Sequence, residues 1–121
     1  MKNLITIAIV LFKFNPLYSQ NLISIDSLSS NLNKVVTICD SVASFNISKG
    51  SAPIYYIFLG KPFPYQKLTI VIHTEHKEKY GIIHPGYLSN RKVCVTGKLT
   101  EYKGRKQIIY NGETRIKVTD N

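Results

Sequence analysis

The sequence predicts an all-β fold, and three observations carry that prediction. From Lys92 to Asn111 apolar and polar residues alternate twice around a basic connection. Val93, Val95, Gly97 and Leu99 share one face of a first strand, and Cys94, Thr96, Lys98 and Thr100 share the other; after Tyr102-Lys-Gly-Arg105, Ile108 and Tyr110 resume the pattern. A period of two on both sides of a glycine-containing turn is an antiparallel hairpin with one buried face. Gly97 in mid-strand marks a bend, a bulge or a close backbone approach, as in a sheet that curls into a small barrel. The length of 121 residues allows one domain at most.

Two segments also carry a resemblance. The run Lys92-Val-Cys-Val-Thr-Gly-Lys-Leu-Thr-Glu-Tyr-Lys-Gly-Arg-Lys-Gln-Ile-Ile109 resembles the last two strands of small secreted bacterial OB-fold proteins of the nucleic-acid-binding-like kind. Leu59-Gly-Lys-Pro-Phe-Pro-Tyr-Gln-Lys-Leu-Thr-Ile-Val-Ile72 is similar to their second and third strands. The resemblance runs from about Leu32 onward and implies a five-stranded Greek-key barrel. OB folds serve nucleic acid, sugar and protein alike, so it speaks to fold more than to ligand.

In chain order, residues 1–20 read as a secretory signal. Lys2 gives the positive start, Leu4 to Phe12 the short apolar core, and the cut falls before Gln20 or Asn21. That apolar run is well short of the roughly 20 residues that span a bilayer, so no membrane anchor is expected after cleavage. Residues 21–121 are then a single exported domain, periplasmic or extracellular. Ile25, Leu28 and Leu32 at helical spacing predict a short N-terminal helical turn that plugs one end of the barrel. Strand one is expected over Lys34 to Ala43, with a bulge or opening at Asp40, whose carboxylate turns to solvent or to backbone amides. Ser44 to Pro53 reads as a loop, in which Asn46-Ile-Ser48 is a chance glycosylation match. Ile54 to Leu59 is strand two and Lys67 to His73 strand three, joined by the stiff Gly60-Lys-Pro-Phe-Pro-Tyr65. Thr74 to Asn90 leaves room only for a short helix or turn before strands four and five. Arg115 to Val118 continues strand five or adds an edge strand.

The resemblance sets the facing of strands two and three. It implies Tyr55, Ile57, Leu59, Leu68, Ile70 and Ile72 inward, and Tyr56, Phe58, Thr69, Val71 and His73 outward. It also makes strands one and four antiparallel neighbours, so that Cys39 and Cys94, both on outward phases, face each other. In an exported protein that implies a disulfide; two free thiols and a redox pair are the alternatives, the last disfavoured by the lack of Cys-x-x-Cys.

Charge narrows the partners. The 16 Lys and Arg outnumber the 7 Asp and Glu; without Lys2 and Lys13 the balance is 14 against 7, a net +7. Such a surface favours nucleic acid, an acidic polysaccharide or an anionic membrane, or serves solubility alone. On the face that the resemblance selects, Tyr56, Phe58 and His73 offer rings for stacking. Lys49, Lys61 and Lys67 flank them, and Tyr102, Lys103, Arg105 and Lys106 form the opposite jaw. The leading expectation is a monomeric binding module for single-stranded nucleic acid or another extended polyanion. An envelope protein-interaction module and an oligosaccharide binder are the alternatives on the same face. His73, His76, Glu78 and His84 make an incomplete metal-ligand set, so no metal and no cofactor are expected. The seven acids, scattered over ends and loops, do not cluster as a metal-dependent nuclease requires, and no nucleophile motif is present, so catalysis is not expected.

Overall fold

The computed structural model describes residues 21–76, 84–111 and 113–119. The expected leader, Glu78 and the middle of the Thr74 to Asn90 connection, residues 77–83, therefore lie outside the described residues. Among the described residues eight strands form one sheet: β1 (Leu22–Ile23), β2 (Val35–Ile47), β3 (Ile54–Leu59), β4 (Leu68–His73), β5 (Lys92–Lys98), β6 (Thr100–Tyr102), β7 (Arg105–Ile109) and β8 (Arg115–Val118). Their order is β6-β7-β4-β3-β2-β5-β8, with β1 pairing beside β2. Because β6 follows β5 after the single residue Leu99, the path returns to the strand it left and the sheet closes on itself.

Eight strands replace the expected five, and local interruptions account for the difference. Leu99 is fully buried and exchanges backbone hydrogen bonds with the start of β2, donating to the Lys34 carbonyl and accepting from the Asn33 N–H. That splits the expected fourth strand into β5 and β6. The expected fifth strand is split by a turn in which the Thr114 hydroxyl binds the Ile109 carbonyl and takes the Asn111 N–H. Before this turn β7 pairs in parallel with β4; after it β8 pairs antiparallel with β5. The two-residue β1 adds a parallel contact to Thr37 and Ile38.

Strand β2 holds the two halves together. Its first part pairs with β5 from Val35 to Ser41, its second with β3 from Val42 to Ile47. The register shifts between Val42 and Ser44, so the bulge sits at Ala43, not at Asp40. Asp40 keeps its place opposite Val93 and its carboxylate accepts the Ser41 N–H. The bulge turns the strand, and Ser44 to Ile47, expected as loop, becomes the part that pairs with β3.

The alternation is obeyed on both sides of the bend. Val36, Ile38, Val42, Ile57, Leu59, Leu68, Ile70, Ile72, Val93, Val95, Leu99 and Ile108 all point into one core. Tyr55 and Tyr110 pack against its edge, and a 3₁₀ turn at Ile25–Asn31 closes one end with Leu28. Ser24 caps this turn by accepting the Asp26 N–H. Between β4 and β5 only short 3₁₀ turns are described, at Thr74–His76 and Pro85–Leu88. Gly97 is a close approach: a Cβ there would lie 2.7 Å from Ile108 Cγ2. Lys103 and Gly104, both with positive φ, form the tight turn that joins β6 to β7.

Candidate nucleic-acid interface

The outer surface of β3, β4 and β7 is built from two cross-strand rows. Phe58, Thr69 and Gln107 lie opposite one another, and beside them Tyr56, Val71 and Ile109 do the same. The outward phase expected for Tyr56, Phe58, Thr69, Val71 and His73 is therefore correct. Accessibility is another matter. Phe58 is only 6% exposed, and Thr69 and Val71 are buried as well, although none of the three joins the barrel core.

What covers Phe58 and Thr69 is the segment between β3 and β4. Gly60, at φ 89°, turns the chain back and donates its N–H to the Ser41 carbonyl. The Phe63 N–H reaches the Ser44 hydroxyl at 3.3 Å, and Gln66 donates its side-chain amide to the Thr69 hydroxyl. The Phe63–Pro64 peptide is cis. The loop so held lays the Phe63 ring over Phe58 with 5.3 Å between centroids and an interplanar angle of 37°. Phe63 itself remains 53% exposed. Phe58 thus cannot present a free stacking surface; Phe63 takes that place.

From the neighbouring turn, Arg105 brings its guanidinium carbon to 5.3 Å from the Phe63 centroid. Lys103 lies at the same distance, 5.3 Å, from the exposed Tyr102 ring. Two cation–ring pairs therefore stand side by side on the segments that border the start of β4. Tyr65 and Lys61, both exposed, complete this end of the face. The loop bearing Lys49 and the exposed His73 belong to its opposite end, where Ile54 pairs with His73.

Two of the expected cations are occupied elsewhere. Lys67 reaches across to the N-terminal 3₁₀ turn and binds Asp26 at 2.8 Å. Its hydrogen bond and charge attraction to Asp26 raise the ammonium pKa above its ordinary value of 10.5. Lys106 lies 3.6 Å from Glu101. Lys61, Lys103 and Arg105 have no carboxylate partner among the described residues and stay available to an anion. The face brings together Lys61, Tyr102, Lys103 and Arg105 around Phe63, and leaves Lys67, Lys106 and the covered Thr69 out.

Phe63 and Tyr65 are the residues that sequence reasoning missed. Their signal was present in the alternating Pro-Phe-Pro-Tyr run directly after a strand, where rings cannot be core and rigid backbone holds them out.

His84 sits between Phe45 and Tyr55, at ring distances of 6.2 and 5.7 Å, and its Nδ1 accepts the Gly86 N–H. Among the described residues no three His, Cys, Asp or Glu side chains group to hold a metal, and no helix is long and apolar enough to cross a membrane. Cys39 and Cys94 are paired opposites on β2 and β5 and form a disulfide.

Comparison with known proteins supports the architecture. No protein-family model matches the chain, and no curated protein does. Among solved structures it is similar to the OB domain of Ta0387 from Thermoplasma acidophilum, with a TM-score of 0.54 at 12% identity over 83% of this chain and 88% of that one. It is also similar to yeast Stn1 and Ten1, with a TM-score of 0.58 at 13% identity over 84% of this chain and 63% of that one. A further likeness is to the p204 HINb domain, with a TM-score of 0.54 at 13% identity, covering 81% of this chain and 47% of that one. The sheet path and these likenesses together define the chain as an OB fold. At such identities they define nothing finer.

Proposed function

We propose that this OB-fold chain is an exported binding module that holds single-stranded nucleic acid, or another extended polyanion, without catalysis. The observation that carries the reading is Phe63 laid over Phe58 with Arg105 against its ring, next to the Tyr102–Lys103 pair. An exposed ring braced by a buried one gives a base a flat, pre-ordered support. The adjacent guanidinium and ammonium groups meet the phosphates that flank that base. The hairpin and the proline-bounded loop meet where Arg105 rests on Phe63, so one strand of nucleic acid can lie across the exposed rings and the cations beside them. Export is supported by the Cys39–Cys94 disulfide, since such bridges persist in oxidising compartments.

Fluorescence anisotropy with labelled oligonucleotides in low salt tests this directly. Saturable, sequence-tolerant binding that weakens as salt rises is expected. Phe63→Ala should weaken it roughly tenfold, a loss of stacking on the order of 1–3 kcal/mol, and Arg105→Gln should flatten the salt dependence by about one phosphate contact. No saturable binding, or affinity indifferent to both changes, would remove the interface.

A further inference from the structure

We infer that the outer face of β1, β2, β5 and β8 is a second binding surface, one that docks the protein on an anionic phospholipid membrane. This proposal is independent of the nucleic-acid reading and concerns a different part of the barrel.

The register places the residues. Leu22, Thr37, Thr96 and Arg115 form one outward row; Cys39, Cys94 and Lys117 form the next; Ser41 stands opposite Lys92 and Val35 opposite Lys98. The inward partners Val36, Ile38, Val93 and Val95 are all buried, which fixes these rows to the outside. Lys92, Lys98, Arg115 and Lys117 are exposed, and none has a carboxylate partner among the described residues. Strands β1, β5 and β8 contain no acid; Asp40 of β2 has the opposite phase and is bound to the Ser41 N–H. Among the described residues, Glu113 lies in the turn before β8. From Lys92 to Lys98 the cations span about 20 Å at roughly 3.4 Å per residue.

The rest of the face selects the occupant. No aromatic side chain lies on β1, β5, β8 or the Val35–Ser41 part of β2, so bases and sugar rings find nothing to stack on there. Instead, Leu22 is 62% and Val35 51% exposed, apolar side chains set among the cations. Cations that meet headgroup phosphates beside aliphatic chains that enter the interface are the two contributions by which proteins lie on anionic bilayers. The disulfide and the 2.7 Å hydroxyl contact between Thr37 and Thr96 tie β2 to β5 in the middle of the face, so the charges keep their spacing.

The test is cosedimentation of the full chain with phosphatidylcholine vesicles, with and without phosphatidylglycerol. Binding that requires phosphatidylglycerol is expected. A triple variant K98Q/R115Q/K117Q should bind such vesicles about a hundredfold more weakly, near fivefold for each cation removed. A variant K61Q/K103Q/R105Q, which removes the same charge from the other face, should bind vesicles almost as the parent does and lose oligonucleotides instead. L22S/V35S, with no charge change, should also weaken vesicle binding. Thermal melts by circular dichroism are expected to match the parent for all three, as every altered residue is exposed. Equal binding to neutral vesicles, equal losses from both triple variants, or a β5–β8 variant that loses oligonucleotides while keeping vesicles would each overturn the assignment.

Discussion

The two outer surfaces of this barrel carry similar charge and use it in opposite ways. Over β3, β4 and β7 part of the charge is tied to its surroundings. Lys67 is paired with Asp26, Lys106 lies near Glu101, and Arg105 rests on Phe63. A loop folds down over the sheet there and buries Phe58 beneath a second ring. Over β2, β5 and β8 the structure shows no such covering loop among the described residues. Four cations stand on bare strands, held in place by a disulfide instead of by packing. The contrast teaches that net charge alone does not identify a site. On the first face, rings and a rigid loop give charge a direction; on the second, spacing and exposed aliphatic side chains do.

The comparison is most severely tested at Phe58. If its role is to support the covering loop from below, Phe58→Ala should destabilise the protein by about 3–5 kcal/mol, as for a buried ring. Phe63→Ala, by contrast, should leave stability within about 1 kcal/mol because that ring is half exposed. Urea unfolding of both variants checks this, and equal losses would erase the distinction between support and platform. Next in size is the disulfide. Replacing Cys39 and Cys94 by Ala should cost roughly 2–4 kcal/mol by freeing a long loop in the unfolded chain. The β5–β8 cations should then hold vesicles less well while oligonucleotide affinity on the other face stays close to the parent's. Gly97→Ala probes the seam between the two surfaces. Its Cβ would meet Ile108 and Thr114, and forcing them apart should destabilise by about 1–3 kcal/mol.

The smallest effect concerns Lys67 and Asp26. The folded-state pKa of Lys67 is raised, so the pair contributes fully below the unfolded lysine pKa and fades as pH climbs through the higher folded value. Melting curves from pH 9 upward should show a slight excess loss in the parent over Lys67→Met, and the two should run in parallel near neutral pH. The pair is solvent-exposed, so the difference will be small. A larger excess loss near pH 7 would implicate another group.

Much of the barrel was legible from residue order. Ile54–Leu59 and Leu68–His73 were readable as strands because alternation with a period of two leaves one apolar face, and the inward set from Tyr55 to Ile72 followed once the resemblance set the phase. The Lys103-Gly104 turn, the close approach at Gly97 and the capping turn around Leu28 were readable for the same local reasons. The bulge was misplaced because a carboxylate on the apolar phase at Asp40 looked like the defect. Asp40 satisfied itself with its neighbour's N–H, and the sheet bent three residues later. The site was legible as a surface but not as a set of contacts. Phase showed that Phe58 pointed outward, and only a loop returning from Gly60 showed that it was covered.

Alternation, turn chemistry and composition, all properties of neighbouring residues, were enough to determine an all-β chain with two-sided strands and its basic balance, and the resemblance added which side of strands two and three faces inward. Which cations remain free, which ring is exposed, and which strand edges meet to close the sheet were decided by contacts between distant segments: Lys67 with Asp26, Phe63 with Arg105, Cys39 with Cys94. The physical reason is range. Side-chain alternation acts over two residues, whereas burial and charge pairing depend on what the folded chain brings alongside.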